Sequence, residues 1–264
     1  AAYPLLTAKI GADPKLRVEE RNATIPFRVI ERQDADQWRT IAREEVRRRY
    51  LDERIFITIL QGSGYGEIIV AADHTLADAK SLYAVCECLI AGLHGRETAP
   101  VPTGDCWEKR LTPDFRGFRG FIKMFRYIRK LFKASPKQSL LFGVDKPNYT
   151  TESFGFTLDK SILSKLKSST DRQQSNLNSI FCAASMLAAF ELFSEESSGI
   201  ASLNTPVSVR DQIHPPASPE EMGMFVSAFF QWHALSENTN IWELSRDILH
   251  TIRSGVKTGE AILL

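Results

Sequence analysis

The sequence predicts an α/β protein, a sandwich built around a largely buried mixed sheet, and three observations predict it. Residues 54–60 and 67–72 read as two strands of a hairpin, with Ile55, Ile57 and Ile59 at alternate positions and Gly62, Gly64 and Gly66 marking the turn. A helical pattern follows directly, with Leu82, Val85, Leu89 and Leu93 recurring at helical spacing. Strand-like runs at 25–30, 203–209 and 224–232 then alternate with helical runs at 38–50, 161–167, 178–193 and 242–252. Strands interleaved with helices define the α/β class.

Taken in order, the chain opens, over residues 1–12, with the end of a helix or a strand entry and then a short extended run, 6–10, closed by Gly11. In the helix 38–50, Glu44, Glu45, Arg47, Arg48 and Arg49 alternate in sign, the pattern of a solvated face. The return strand 67–72 is apolar on both faces, which predicts a place in the middle of a covered sheet. Gly92 and Gly95 close the helix that follows it, and Pro100, Pro102 and Gly104 make 96–108 a loop. Phe154, Phe156 and Leu158 alternate as a strand within 153–158, and Pro215-Pro216 connects the last two strands. A length of 264 residues accommodates one large domain or two small ones. The division expected is an N-terminal subdomain over 1–138 and the start of a second over 139–264.

Composition removes several classes. With 43% hydrophobic and 25% charged residues, disordered and fibrous chains are excluded. The longest uncharged stretch, 173–190, carries Ser and Asn throughout, so no bilayer span is expected. The N-terminal Ala-Ala-Tyr-Pro-Leu-Leu has no basic region and no cleavage site, so no signal peptide is expected; without an initiator Met the chain reads as a fragment. Cys86, Cys88, Cys106 and Cys182 have neither a disulfide framework nor paired C-x-x-C spacing, and reduced thiols in a cytoplasmic protein are the expectation. A net charge of +1 argues against a dedicated nucleic-acid binder.

The stretch with most chemical promise is Asp73-His74-Thr75-Leu76-Ala77-Asp78-Ala79, where the second hairpin strand ends and a helix begins. Strand ends of this kind are where ligands bind in open α/β sheets. Imidazole titrates near pH 6.5 in water, so a histidine there can take a proton from an alcohol or amine. Three readings stay open on spacing alone. His74 can act as a general base; Asp78 can be a simple helix N-cap beside a bystander histidine; or Asp73, His74 and Asp78 can bind a metal, for which a third convincing ligand is lacking.

This stretch resembles the H-x-x-x-D-[AG] motif of the chloramphenicol-acetyltransferase-like superfamily, which includes BAHD and alcohol acyltransferases, phthiocerol-type acyltransferases and peptide-synthetase condensation domains. Three further stretches are similar to that superfamily in the right order: 3–10, which resembles "HPLLRARI"; 179–184, in a helix; and Val207-Ser208-Val209-Arg210 with Pro215-Pro216 and Gly223, which resembles "VDxR…PP…GN". The resemblance implies two-layer sandwich subdomains and transfer of an acyl group other than aminoacyl from a thioester, acyl-CoA or carrier-bound, to a hydroxyl or amine. It implies His74 as general base, with Asp78 and Arg210 pairing to hold the site's shape. It offers Ser227 as an oxyanion donor, against the plainer reading of a strand serine. It implies no metal or redox cofactor. A condensation domain and a catalytically inactive binding or scaffolding relative are the alternatives. The chain departs from the pattern at Asp73, where the double-His version has His, and at Met224, where "GN" has Asn. No late D-F-G-W-G motif is present, and Asp114-Phe115-Arg116-Gly117 comes too early to serve as one. Members of the superfamily are longer, which again predicts a partial chain.

One local excess is hidden by the near-neutral total. Residues 109–137 hold ten Lys or Arg against one acid, Asp114, with Phe118, Phe121, Ile122, Phe125, Ile128, Leu131 and Phe132 at helical spacing. A crossover helix packing its aromatic face on the core and snorkelling its charges explains this. A peripheral contact with an anionic membrane, the phosphates of coenzyme A or an acidic carrier protein explains it too.

Overall fold

The computed structural model describes residues 3–10, 16–18, 25–47, 55–99, 101, 104, 106–134 and 155–263. These form two compact units that are interleaved in sequence. The first takes Ala1–Arg110, Asn148–Phe156 and Ile213–Phe225; the second takes Leu111–Pro147, Thr157–Gln212 and Val226–Leu264.

In the first unit, a 3-10 turn at Pro4–Thr7 leads into β1 (Ala8–Ile10), which pairs antiparallel with β2 (Leu16–Val18). The main sheet is mixed, as expected, with strand order β3-β4-β5. β3 (Phe27–Glu31) runs parallel to β4 (Ile55–Gln61), and β4 pairs antiparallel with β5 (Gly66–Ala72), Ile57 lying opposite Val70. The hairpin closes tightly. A Cβ at Gly66 would sit 2.4 Å from the Leu60 carbonyl oxygen, so no other residue fits there without moving the backbone. The central covered strand is β4, with Ile55, Phe56, Ile57, Thr58 and Leu60 all buried, while β5 lies at the sheet edge among the described residues. This reverses the expectation for 67–72. An apolar run on both faces fits a strand packed by loops and a helix as well as one flanked by strands.

Helix α1 (Gln37–Arg47) corrects a second expectation. Its Glu45 is 2% exposed rather than solvated. It accepts hydrogen bonds from Arg28 Nη2 at 2.7 Å and Thr58 Oγ1 at 2.9 Å, and Arg28 and Thr58 are direct neighbours across β3 and β4. A buried carboxylate is tolerable because it is paired and hydrogen-bonded. At the far end of the sheet Arg32 grips Glu67 with two bonds of 2.7 and 2.8 Å and stacks over Tyr65. Helix α2 (Ala79–Leu93) follows β5 and packs Val85 with Tyr3, Leu6, Ile55, Leu76, Ala77 and Met222. The expected loop 96–108 contains the start of a 3-10 turn, Trp107–Arg110.

The second unit holds a 3-10 turn at Pro113–Phe115, then α3 (Gly117–Ala134), α4 (Lys160–Arg172) and α5 (Leu177–Phe193). The long hairpin β6 (Ser198–Ser208) and β7 (Val226–Ser236), α6 (Ile241–Thr258) and a final 3-10 turn at Glu260–Ile262 complete it. Asn176 caps α5 and Asn240 caps α6, each through its side-chain oxygen. Gly259 ends α6 at φ +72°, the left-handed conformation that glycine adopts most easily. The core joins Ala183, Met186 and Phe190 of α5 to Leu244 and Ile248 of α6, with Ala201 and Leu235 from the hairpin. Within it His233 is buried between Asp247 (2.8 Å) and Gln231 (3.1 Å).

Residues 155–158 are not a strand, and the rest of the strand expected there, 153–154, lies outside the described residues, as do Gly11, residues 48–50 and Lys137. The opening run is extended only from Ala8; Leu6 belongs to the 3-10 turn. On α3 the aromatic face does not pack on the core. Phe118, Phe121, Phe125 and Phe132 are exposed and Tyr127 is the buried aromatic.

Candidate active site

β5 delivers the chain to the turn 73–78. Asp73 shapes it: its Oδ1 accepts from the Thr75 amide at 2.9 Å and the Thr75 hydroxyl at 2.6 Å, and its carbonyl accepts from Leu76 N at 3.0 Å. An Asp bonding the backbone two residues on is an Asx-turn, which replaces a ladder bond where the strand stops. Leu76 and Ala77 then plunge into the core, at 1% and 3% exposed. Between these anchors His74 is exposed at the tip, with no hydrogen bond among the described residues.

Asp78 is the N-cap of α2, the role its position predicts, and it does more than cap. Oδ1 accepts from Ser81 N and Ser81 Oγ, both at 2.8 Å, and Oδ2 accepts from Phe225 N at 3.2 Å. Ser81 Oγ also bonds Gly223, accepting from its N at 3.1 Å and reaching its carbonyl at 3.0 Å, while Asp78 N donates to that same carbonyl at 3.1 Å. One carboxylate and one hydroxyl therefore tie the helix start to the 223–225 segment. That segment is held again by Arg110, which is buried. It donates to the Pro215 carbonyl through Nε and Nη2 and to the Glu221 carboxylate through Nη1, and its own carbonyl accepts from His214 N.

Ser81, Arg110 and Glu221 are the parts of this framework that sequence reasoning missed. For Ser81 a signal existed, a serine three residues after an N-cap aspartate. Arg110 was hidden among the ten basic residues of 109–137.

Arg210 and Ser227 belong to the second unit. Arg210 is 3% exposed and lies just beyond β6. Ser227 sits half-buried in β7, opposite Val207 in the hairpin register. Burial pushes the thiols of Cys86 and Cys182 above their ordinary range, and all four cysteines are free. Among the described residues no group of three or more His, Cys, Asp or Glu could hold a metal ion.

This mixed α/β fold is shared with solved structures that include condensation domains. Residues 156–263 match the family described as phthiocerol/phthiodiolone dimycocerosyl transferase C-terminus. Polyketide synthase associated protein 5 from Mycobacterium tuberculosis is similar at 18% identity and a TM-score of 0.63, over 98% of this chain and 64% of that one. The first condensation domain of the calcium-dependent antibiotic synthetase is similar at 13% identity and a TM-score of 0.67, over 97% and 63%. The EpoB NRPS cyclization-docking bidomain from Sorangium cellulosum is similar at 16% identity and a TM-score of 0.66, over 100% and 54%. This chain thus spans under two thirds of each of these solved structures. No curated protein sequence matches it.

Proposed function

We propose that this chain is the His74-bearing part of an acyltransferase that moves an acyl group from a thioester to a hydroxyl or amine. The observation that carries the proposal is the contrast within one turn. Asp73, Leu76, Ala77 and Asp78 are each hydrogen-bonded or buried, and the imidazole of His74 alone is left free and exposed. A rigid turn presenting one unengaged base is what proton abstraction requires.

In the proposed reaction His74 takes the proton of the acceptor O–H or N–H as the heteroatom attacks the thioester carbonyl carbon. The tetrahedral intermediate collapses, the C–S bond breaks, and the thiolate leaves with the proton that His74 returns. Asp78 and Arg210 act as supports of the site rather than as reacting groups, and Ser227 is the candidate donor to the oxyanion. The donor is acyl-CoA or a carrier-bound thioester. The fold shared with a condensation domain favours a second reading, in which both substrates arrive on carrier proteins.

The test uses the natural full-length polypeptide, wild type and His74→Ala, with acyl-CoA donors and the same acyl groups carried on a carrier protein, and mixed alcohols and amines, following free thiol. Acceptor-dependent release should fall at least ~100-fold in a mutant that circular dichroism shows to be folded. Equal rates would remove His74 from the mechanism. Release only from carrier-bound donors would establish the second reading, and none from either donor would favour an inactive binding module.

A further inference from the structure

Helix α3 is exposed in a way that the acyl-transfer reading does not use. At about 100° per residue, Phe118, Phe121, Phe125 and Phe132 fall within an arc of about 60° that faces away from Tyr127. Tyr127 is 4% exposed and fixes the inner face, whereas the four phenylalanines are 78%, 56%, 54% and 78% exposed. Single exposed phenylalanines are ordinary; four aligned over about 21 Å of helix form a contiguous apolar stripe of the kind that marks an interaction surface.

The charges beside the stripe are of one sign. α3 contains no acidic residue. Lys130 is engaged by Glu260 at 2.7 Å, and Arg119 and Lys123 lie 3.7 Å from Asp114. Arg126, Arg129 and Lys133, which run along one flank of the stripe, have no acidic partner among the described residues. Among the described residues, the groove on this surface, from Phe121 to Lys133, is lined by α3. The described face of the helix is an aromatic stripe with a cationic flank, and its complement is apolar within and negative at its surface.

We infer that α3 docks this protein on an anionic phospholipid surface, with the phenylalanine stripe in the headgroup–acyl boundary and Arg126, Arg129 and Lys133 among the lipid phosphates. An aromatic stripe with a cationic flank is the form of an interfacial helix. The three unengaged cations supply the selectivity for negative lipid, and the stripe supplies insertion. This binding is independent of His74. It also differs from spanning, because no single helix among the described residues is long and apolar enough to cross a membrane.

Co-sedimentation of the natural full-length polypeptide with phosphatidylserine/phosphatidylcholine vesicles and with pure phosphatidylcholine vesicles tests this. Binding to the anionic vesicles should be at least ~10-fold tighter and should weaken as salt is raised. The charge-reversed variant Arg126→Glu/Arg129→Glu/Lys133→Glu should lose it. Phe118→Ser/Phe125→Ser/Phe132→Ser should lose insertion, read as a smaller bound fraction at high salt. His74→Ala should bind as the wild type does, which separates this inference from the acyl-transfer reading. Equal binding to both vesicle types, or anionic binding that survives both triple variants, overturns it. So does absence of vesicle binding with capture of an acidic carrier domain that the charge-reversed variant abolishes; the stripe would then be a protein interface.

Discussion

The first unit buries carboxylates and helix α3 of the second exposes phenylalanines, the opposite of what their polarity alone would assign. Glu45 and Asp78 are 2% and 5% exposed, yet each is met by donors, Arg28 and Thr58 for the one and Ser81 and Phe225 for the other. A buried carboxylate in such company organises its surroundings, because several backbone groups take their positions from it. On α3, by contrast, the aromatic stripe is exposed and the buried aromatic of the helix is Tyr127. The difference teaches that satisfaction, rather than hydrophobicity, decides what these side chains fix. Asp78 holds two segments in place, and Phe125 holds nothing among the residues described.

The contrast can be broken most sharply on α3 itself. Tyr127→Ala should cost about 3 kcal/mol in urea unfolding, the order expected for truncating a buried aromatic. A loss below about 1 kcal/mol would mean that the helix is not anchored through this face. The phenol offers a second reading. Burial, and then the nearby Glu260 carboxylate, push Tyr127 up to about 12. Its stabilising share is therefore complete below pH 10, the ordinary tyrosine value, and is lost as pH climbs through the folded value. Burial also raises Tyr3, so a spectrophotometric titration should show a late tyrosinate component that is reduced, rather than abolished, in Tyr127→Phe.

Asp78→Ala should come next, at about 2–3 kcal/mol, combining a lost N-cap with a buried Phe225 amide left without its acceptor. Faster hydrogen exchange at the Phe225 amide would identify the mechanism, and unchanged exchange would show that the carboxylate is not what ties these segments. Phe125→Ser should shift stability by no more than about 0.5 kcal/mol, as an exposed position does; a larger loss would place the stripe against part of the protein. The smallest effect belongs to Glu67, which Arg32 holds below its ordinary 4.5 chiefly through their hydrogen bond. A depressed carboxylate stabilises above that value and loses its contribution as pH falls through the folded one. Glu67→Gln should flatten the acid limb of the stability curve, and an unaltered limb would dissociate the pair from acid sensitivity.

Much of the fold was legible because period and punctuation are local. Ile55, Ile57 and Ile59 with their glycines gave the hairpin, and Asp78 before an apolar helical run gave the start of α2. Partner choice was not legible. The alternating charges of 44–49 look the same whether the helix face meets water or, as at Glu45, the side of a sheet that offers an arginine and a threonine. The aromatic spacing of 118–132 states that the helix has a stripe and not which stripe turns inward; Tyr127 decides that, and it lies off the stripe. At the candidate site, His74 and Asp78 were found because a short motif keeps them four residues apart. Ser81 was readable in principle, and Arg110 was not, since its partners Pro215 and Glu221 lie more than a hundred residues away.

That separation has a consequence on the ribosome. Phe225 follows Asp78 by 147 positions. At roughly 5–20 residues per second, its amide is synthesised about 7–30 s after the carboxylate it will cap. Throughout that interval the β-hairpin can close, but the histidine turn lacks its final clasp, and the nascent chain carries a buried-to-be carboxylate still in water. A ribosome that stalls before adding Phe225 would therefore release a product with a formed hairpin and a loose turn, a natural substrate for chaperones and for proteases that cut near His74.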